Sequence, residues 1–474
     1  ASIKHLNGSD FPRQELCTAL NTYNKSIGNN EALPAIEKLA DNAVAVVTGQ
    51  QSGLMSGPLY TIYKIITSIK LAAAIESDKK VPAVAIYWNA SEDHDLSEIQ
   101  HALFPEKRYT AEFPNEGIAA EALDAENAKA EIAAFLETVP DDFKEKIETL
   151  LTHQPEKYGE FSSSIIAALF KDYGLIILEP KILRPIAKEL LKEFVSKNSA
   201  IRSSLESSAA RLETLSISAA FTNPATGLFH INTDGKRRQI RLDGKNFSID
   251  ENAYTEAELL ELIDRDASRI STSAFLRPVL QSKIIPTVAY VAGPGEYKYH
   301  LQLKDLFNLF DTEIPYLHMR NHATLFSGAE TRNLEKLGIG KADIFRGIEA
   351  FYQKAELPES YESKHRDTEN QFKAAIESLS KNIGELAGDK VIQGFEKRLN
   401  DEIQKVHKRA SKEYQRQQET DNNRLDKLFK TLYPNGPQER NINIFYFLTK
   451  NPDLIRLLME TLEPNEERHY LIEC

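Results

Sequence analysis

Five short apolar runs mark the chain at residues 43–48, 83–88, 175–178, 287–291 and 314–319. They are β-branched or aromatic and do not alternate with polar residues, the pattern of strands buried on both faces of a parallel sheet. Helical periodicity fills the intervals. The clearest case is 59–76, which sets Ile62, Ile66, Ile69 and Ala73 on one face. Strand and helix in this repetition predict an α/β fold, an open sheet wound by helices on both sides.

Insertions interrupt the pattern. Residues 121–151 read as an acidic helical excursion, and 187–215 as one long helix. Between 222 and 247, turn signals at Asn223-Pro224, Thr233-Asp234-Gly235 and Asp243-Gly244 predict a β-hairpin insert. After about Gly340 the chain becomes long, charged helix. Phe372, Ile376, Leu379, Ile383 and Leu386 keep the four-three spacing of a coiled-coil seam. Ala387-Gly388-Asp389 offers a turn, and Phe395, Leu399, Ile403, Val406 and Ala410 resume the seam, followed by Leu425, Leu428 and Leu432. Two such helices form an antiparallel hairpin. Its second arm, 391–432, would reach about 60 Å. Pro434-Asn435-Gly436-Pro437 ends that arm. The expected division is a core over 1–340, a coiled coil over 341–432, and a helical tail over 433–474 that folds back on the core.

Composition adds limits. A chain of 474 residues exceeds the usual size of one core, so two or three domains are expected. With 41% hydrophobic and 27% charged residues it reads as globular. No apolar run is long enough for a membrane span, and residues 1–20 lack a signal-peptide layout, so a cytoplasmic address is expected. The two cysteines, Cys17 and Cys474, form no CxxC pair and read as inert thiols of a reducing compartment. A net charge of −12 disfavours a long nucleic-acid partner. The basic stretch Lys397, Arg398, Lys405, Lys408, Arg409, Lys412 and Arg416 lies among acids and glutamines and reads as a solvated helix face.

Four segments look chemical. From the first predicted strand, Thr48-Gly49-Gln50-Gln51-Ser52-Gly53 runs through Gly57-Pro58-Leu59-Tyr60 into a helix. Glycines at four-residue spacing permit close approach of backbone or ligand, and a helix start suits phosphate or carboxylate. A plain tight turn explains the same residues. After the second strand comes Trp88-Asn89-Ala90-Ser91-Glu92-Asp93-His94-Asp95, where acids at a sheet's carboxyl edge can hold an ammonium group, orient a sugar, hold Mg²⁺ or act as a base. An acidic helix cap is the equal alternative. His94 with His101 fits no usual metal spacing, so no protein-bound metal is expected. The third segment joins Arg277-Pro278 to Gly293-Pro294-Gly295-Glu296, with Tyr299 beyond, and the fourth holds Arg320 and His322. Each is either a ligand-facing loop or a structural turn.

The blocks Thr48-Gly49-Gln50-Gln51-x-Gly53-Leu54-x-x-Gly57-Pro58-Leu59-Tyr60-Thr61-Ile62-Tyr63-Lys64, Trp88-x-Ala90-Ser91-Glu92-Asp93-His94-Asp95, Arg277-Pro278 and Ala292-Gly293-Pro294-Gly295-Glu296 occur in this order. With Gln438-Glu439-Arg440, they resemble the bacillithiol cysteine-adding enzymes, the cysteine ligase (BshC) family, from about Ile36 to the end. The resemblance implies a Rossmann-like core resembling class I aminoacyl-tRNA synthetases, with connecting-peptide insertions and a dimerising coiled coil. It implies that L-cysteine is joined to the sugar amine of glucosaminyl malate, the last step of bacillithiol biosynthesis, through an activated cysteinyl group formed from ATP with Mg²⁺. Under it, the helix start at Gly57 faces phosphate, and Gln50 and Gln51 orient substrates. Asp93, His94 or Asp95 holds an amino group or assists proton removal. Thr48, Gly49, Gly53, Tyr60, Trp88, Glu92, Arg277, Gly293, Gly295, Glu296, Tyr299, Arg320 and His322 complete the expected binding set. The synthetases' HIGH and KMSKS motifs are absent, and no central cysteine is present to bind zinc. Two rival readings fit the same sequence. One is aminoacyl transfer to tRNA or a carrier, which a tRNA filter-binding test would reveal. The other is a non-catalytic coiled-coil scaffold.

Overall fold

The β-branched runs become a five-stranded parallel sheet in the computed structural model, which describes every residue except 1, 2, 4, 5, 7, 8, 114–116, 223, 224, 353–356 and 435. Its strands are β1 Val44–Gln50, β2 Ala83–Asn89, β3 Ile176–Leu178, β4 Thr287–Ala292 and β5 Tyr316–Met319, in the order β5-β4-β1-β2-β3. All four pairings are parallel; Thr48, for example, stands opposite Tyr87 on one side and Val291 on the other. Alternate side chains of β1 feed two cores. Val44 and Val46 pack with Ile62 and Ile66 of the helix Leu59–Lys79. Ala45 and Val47 pack with Leu16, Leu20, Ile36 and Leu39 of the helices Arg13–Ser26 and Leu33–Asp41. A sheet buried on both faces is what continuous apolar strands require.

The insertions differ from expectation in two places, 187–215 and 222–247. The 187–215 segment is two helices, Lys188–Ser196 and Asn198–Thr214, because Lys197 leaves helical geometry. The buried Asn198 side chain donates instead to the Thr226 carbonyl at 3.0 Å. The 121–151 segment is also two helices, Glu126–Leu136 and Asp141–Thr149, the second starting after Pro140. The expected hairpin is part of a five-stranded antiparallel sheet built from Leu228–Ile231, Arg237–Asp243, Asn246–Ile249, Asn252–Tyr254 and Ile270–Thr272. The Asn223-Pro224 turn lies outside the described residues, as does Asn435.

Two compact units emerge: 1–327 with 436–474, and 328–435. In the first, the C-terminal segment returns to the core. Ile444, Phe445 and Phe447 share a cluster with Ile62, and the strand His469–Glu473 pairs in parallel with His322–Phe326. The second unit carries the helices Glu359–Ala387 and Asp389–Leu432, joined at Gly388, whose φ of +82° suits glycine. Ile376 of the seam is buried, as is the neighbouring Ile392, whereas Phe372, Leu379, Ile383, Leu386, Phe395 and Val406 are exposed. Among the described residues, no helix is long and apolar enough to cross a membrane.

Candidate functional site

The carboxyl ends of β1, β2 and β4 open into a cleft of about 760 Å³. It spans the point where the chain, having gone from β1 to β2 and β3, crosses to β4 on the other side of β1. Open parallel sheets bind ligands at such a crossing.

From β1 come Gly49, Gln50 and Gln51. Gln50 Nε2 donates to Gln51 Oε1 at 2.7 Å and to the Tyr60 hydroxyl at 2.9 Å. Gln51 Nε2 donates to Asp93 Oδ2 at 3.2 Å and also meets Glu98. From β2 and the turn that follows it come Trp88, Ala90, Glu92 and Asp93. Asp93 Oδ1 accepts the His94 backbone N–H at 2.8 Å, and the side chain keeps 31% of its surface exposed. Glu92 is buried against Arg184 at 3.2 Å, and Arg184 also grips Glu121 at 2.7 and 2.8 Å. Burial pushes the Glu92 pKa up, against the pull of Arg184 and Arg237.

From β4 and the helix Pro294–His300 come Gly293, Gly295, Glu296 and Tyr299. Glu296 accepts from the Tyr290 hydroxyl at 2.7 Å and the Gly293 N–H at 2.8 Å, and pairs with Lys64. Burial works against its charge, but Lys64 and these donors hold its pKa below the ordinary value. Lys64 Nζ also donates to the Gly49 carbonyl at 2.8 Å and to Gln50 Oε1 at 3.0 Å, so one buried ammonium ties the ends of β1 and β4 together. Arg277 donates to Gln281 at 3.0 Å and to the Tyr299 hydroxyl at 3.1 Å, with its guanidinium 5.6 Å from the Trp88 ring. Arg320 lines the cleft beside Gly293.

Six expected site residues do not line the cleft: Thr48, Gly53, Gly57, His94, Asp95 and His322. Thr48 is buried and its hydroxyl donates to the Val291 carbonyl at 2.9 Å. Gly53 and Gly57 pack on each other, and Asn443 Nδ2 donates to the Leu54, Met55 and Gly57 carbonyls. The helix begins at Leu59, whose N–H is taken by the Ile442 carbonyl at 3.0 Å, so Gly57 does not present a helix start to phosphate. Asp95 caps the short helix Leu96–Ile99 through the Ser97 N–H at 3.1 Å. His94, half-buried, has Nδ1 3.4 Å from Arg237, and its pKa is lowered by burial and by that guanidinium. His322 Nδ1 lies 3.0 Å from Glu439.

Lys64, Phe229, Arg237 and Arg440 line the cleft without having been singled out as site residues. Lys64 had a signal: a lysine set among Ile62, Ile65 and Ile66. Phe229 and Arg237 belong to the antiparallel sheet, Arg237 lying 3.9 Å over the Phe229 ring, and nothing local in the sequence points to them. Among the described residues, no group of three or more His, Cys, Asp or Glu side chains is placed to hold a metal ion.

The family model described as "Bacillithiol biosynthesis BshC, N-terminal Rossmann-like domain" matches residues 1–321. "Bacillithiol biosynthesis BshC, C-terminal coiled-coil domain" matches 323–474. Proteins named "Putative cysteine ligase BshC" are similar over nearly the whole length. That of Geobacillus kaustophilus is 29% identical over 99% of this chain and 92% of its own. That of Heliobacterium modesticaldum is 28% identical over 98% and 91%, and that of Salinibacter ruber 28% over 97% and 88%. A solved structure described as "putative arginyl t-RNA synthetase" from Campylobacter jejuni aligns over 94% of this chain and 99% of that one at 9% identity. Its TM-score of 0.25 is too low to speak to the fold.

Proposed function

This chain belongs to the bacillithiol biosynthesis BshC family, and from that premise we propose that it joins the carboxyl group of L-cysteine to the sugar amine of glucosaminyl malate. The observation that supports this best is the pairing of Gln51 with Asp93 across the ends of β1 and β2, inside the cleft. An amine attacks an acyl carbon only as the free base, and the new C–N bond forms as the activating group leaves. Asp93 is the cleft carboxylate not engaged by a cation at hydrogen-bond distance, since Glu92 meets Arg184 and Glu296 meets Lys64. It holds the sugar ammonium and takes its proton, while the Gln51 amide fixes the Asp93 carboxylate.

ATP supplies the activation that a bare carboxylate lacks, and Mg²⁺ accompanies its phosphates. The cleft's volume fits a nucleotide beside a small substrate. Mg²⁺ takes its ligands from phosphate and water, which leaves Asp93 to the amine. Gln50 lines the acyl side, and Lys64 holds it in place. A second copy of the chain, bound through the exposed seam of the coiled coil, completes the proposed assembly.

Purified protein incubated with cysteine, glucosaminyl malate, ATP and Mg²⁺ is expected to yield bacillithiol, read by mass spectrometry, with one ATP cleaved per thiol formed. Folded protein that gives no product with any nucleoside triphosphate would defeat the proposal.

A further inference from the structure

The cations lining the cleft divide sharply by whether they have partners. Lys64 is paired with Glu296, Arg320 with Glu439, and Arg277 with Gln281 and Tyr299. Arg237 donates to the Ser271 hydroxyl at 2.9 Å and the Thr272 carbonyl at 2.8 Å. Arg440 is different. It lines the cleft, is exposed, and among the described residues its side chain makes no hydrogen bond or ion pair.

Its backbone is nonetheless held firmly. Arg440 belongs to the short helix Gln438–Asn441, whose first two residues are anchored in the core. The Gln438 amide accepts the Leu325 N–H at 2.7 Å and donates to the Leu325 carbonyl at 2.9 Å. Glu439 is clamped by Arg320 at 2.9 and 2.7 Å. A guanidinium on so rigid a base gives up little backbone freedom on binding an anion.

A second donor lies close by: Leu59, next to Tyr60, donates its N–H at 3.0 Å to the carbonyl of Ile442, two residues beyond Arg440, and Tyr60 lines the same cleft. The Tyr60 hydroxyl accepts from Gln50, which leaves its own hydrogen uncommitted. Burial, Glu98 and Glu296 push its pKa up to about 12, while Arg320 and Arg440 act on it in the opposite sense. Tyr60 is therefore a protonated donor at neutral pH.

We propose that Arg440 and the Tyr60 hydroxyl form the subsite for a carboxylate of the acceptor, the dicarboxylate half of the amino-sugar substrate. This rests on the ligase reading above. That half stays anionic from start to finish, whereas the cysteine carboxylate loses its charge on activation. A permanent carboxylate is a ligand that an unpartnered guanidinium on a held backbone recognises.

Calorimetry on the full chain tests the subsite separately from turnover. Wild-type protein should bind glucosaminyl malate more tightly than methyl glucosaminide, which lacks the carboxylates. Arg440→Gln should weaken glucosaminyl malate about ten- to a hundredfold, and methyl glucosaminide and ATP by less than about twofold. Arg440→Lys should recover part of the loss, and Tyr60→Phe should reproduce a smaller one. In steady-state assays the Arg440→Gln loss should appear in KM for glucosaminyl malate, with kcat nearly unchanged. No loss, an equal loss for both sugars, or a loss confined to ATP overturns the subsite. Selective binding that depends on Arg440, without any cysteine transfer, would overturn the ligase reading and leave the subsite standing.

Discussion

Arg320 and Glu439, far apart in sequence, close a two-pronged ion pair at 2.9 and 2.7 Å. Both are almost inaccessible to water, and His322 Nδ1 stands 3.0 Å from the same Glu439 oxygen that meets Arg320 Nη2. The pair ties the C-terminal segment to the end of β5, next to the cleft.

Loss of this pair should be costly and pH-dependent. Burial opposes the Glu439 charge, but hydrogen bonds from His322 and Arg320 outweigh it and hold the pKa at about 2, below the ordinary 4.5. The unfolded chain therefore binds this proton more readily than the folded one. The stabilisation, about 3 kcal/mol, is complete above pH 4.5 and disappears as pH falls through 2. Glu439→Gln should cost about 3 to 5 kcal/mol at pH 7 by stranding Arg320. In urea titrations the gap between wild type and variant should hold steady from pH 7 to 5.5 and shrink below pH 4.5. A gap unchanged down to pH 3 would contradict this account.

Gly53 and Gly57 should prove to be folding residues. A Cβ on Gly53 would stand 2.6 Å from Gly57 Cα, a backbone atom that cannot step aside cheaply. Gly57 has φ +72° and ψ −162°, a region essentially reserved for glycine. Gly57→Ala is expected to cost about 1 to 3 kcal/mol, and Gly53→Ala at least as much, both visible as lower melting temperatures without ligand. Either variant melting like wild type would show that the loop relaxes freely.

The coiled-coil seam predicts association. Leu386 is 93% exposed, Val406 69%, and Phe372, Leu379, Ile383 and Phe395 are also open to water. Contiguous apolar surface of this kind marks a protein interface. Light scattering should report a dimer for the full chain, and a monomer once 358–432 is replaced by a short linker. A full-length monomer at micromolar concentration would remove the proposed dimer.

How much of this was legible in sequence depends on how local each cause is. The strands of the parallel sheet were legible because burial on both faces writes a continuous apolar run. The break at Lys197 was not, because the Thr226 carbonyl that draws Asn198 lies in another segment. The antiparallel sheet was half visible: its turns are local, but Ile270–Thr272 pairs with Leu228–Ile231 across an intervening helix. In the cleft, Gln50, Gln51, Asp93 and Gly293 sit just where strands end, a position sequence can mark. Phe229, Arg237 and Arg440 arrive from remote segments. The glycines of the first loop show the converse problem. Their spacing announces a close approach, but only coordinates reveal that the approaching atoms are each other's.

Asp93 and Asp95 lie two residues apart and should fail in different ways. Asp93 lines the cleft and accepts from Gln51, whereas Asp95 turns to the Ser97 N–H at 3.1 Å and its hydroxyl at 2.6 Å. Asp93→Asn keeps an oxygen for the His94 N–H but loses the charge that holds and deprotonates the amine. Turnover should fall by roughly thirty- to a thousandfold, equivalent to about 2 to 4 kcal/mol of barrier, with the melting temperature nearly unchanged. Gln51→Ala should follow the same pattern more weakly, since it removes the amide that orients Asp93. Asp95→Ala removes a cap, so it should cost about 1 kcal/mol of stability and leave kcat nearly at the wild-type value. Bacillithiol formation and thermal melts on the three variants decide the matter. If Asp95→Ala abolishes turnover while Asp93→Asn leaves it intact, the amine is handled on the other side of this loop.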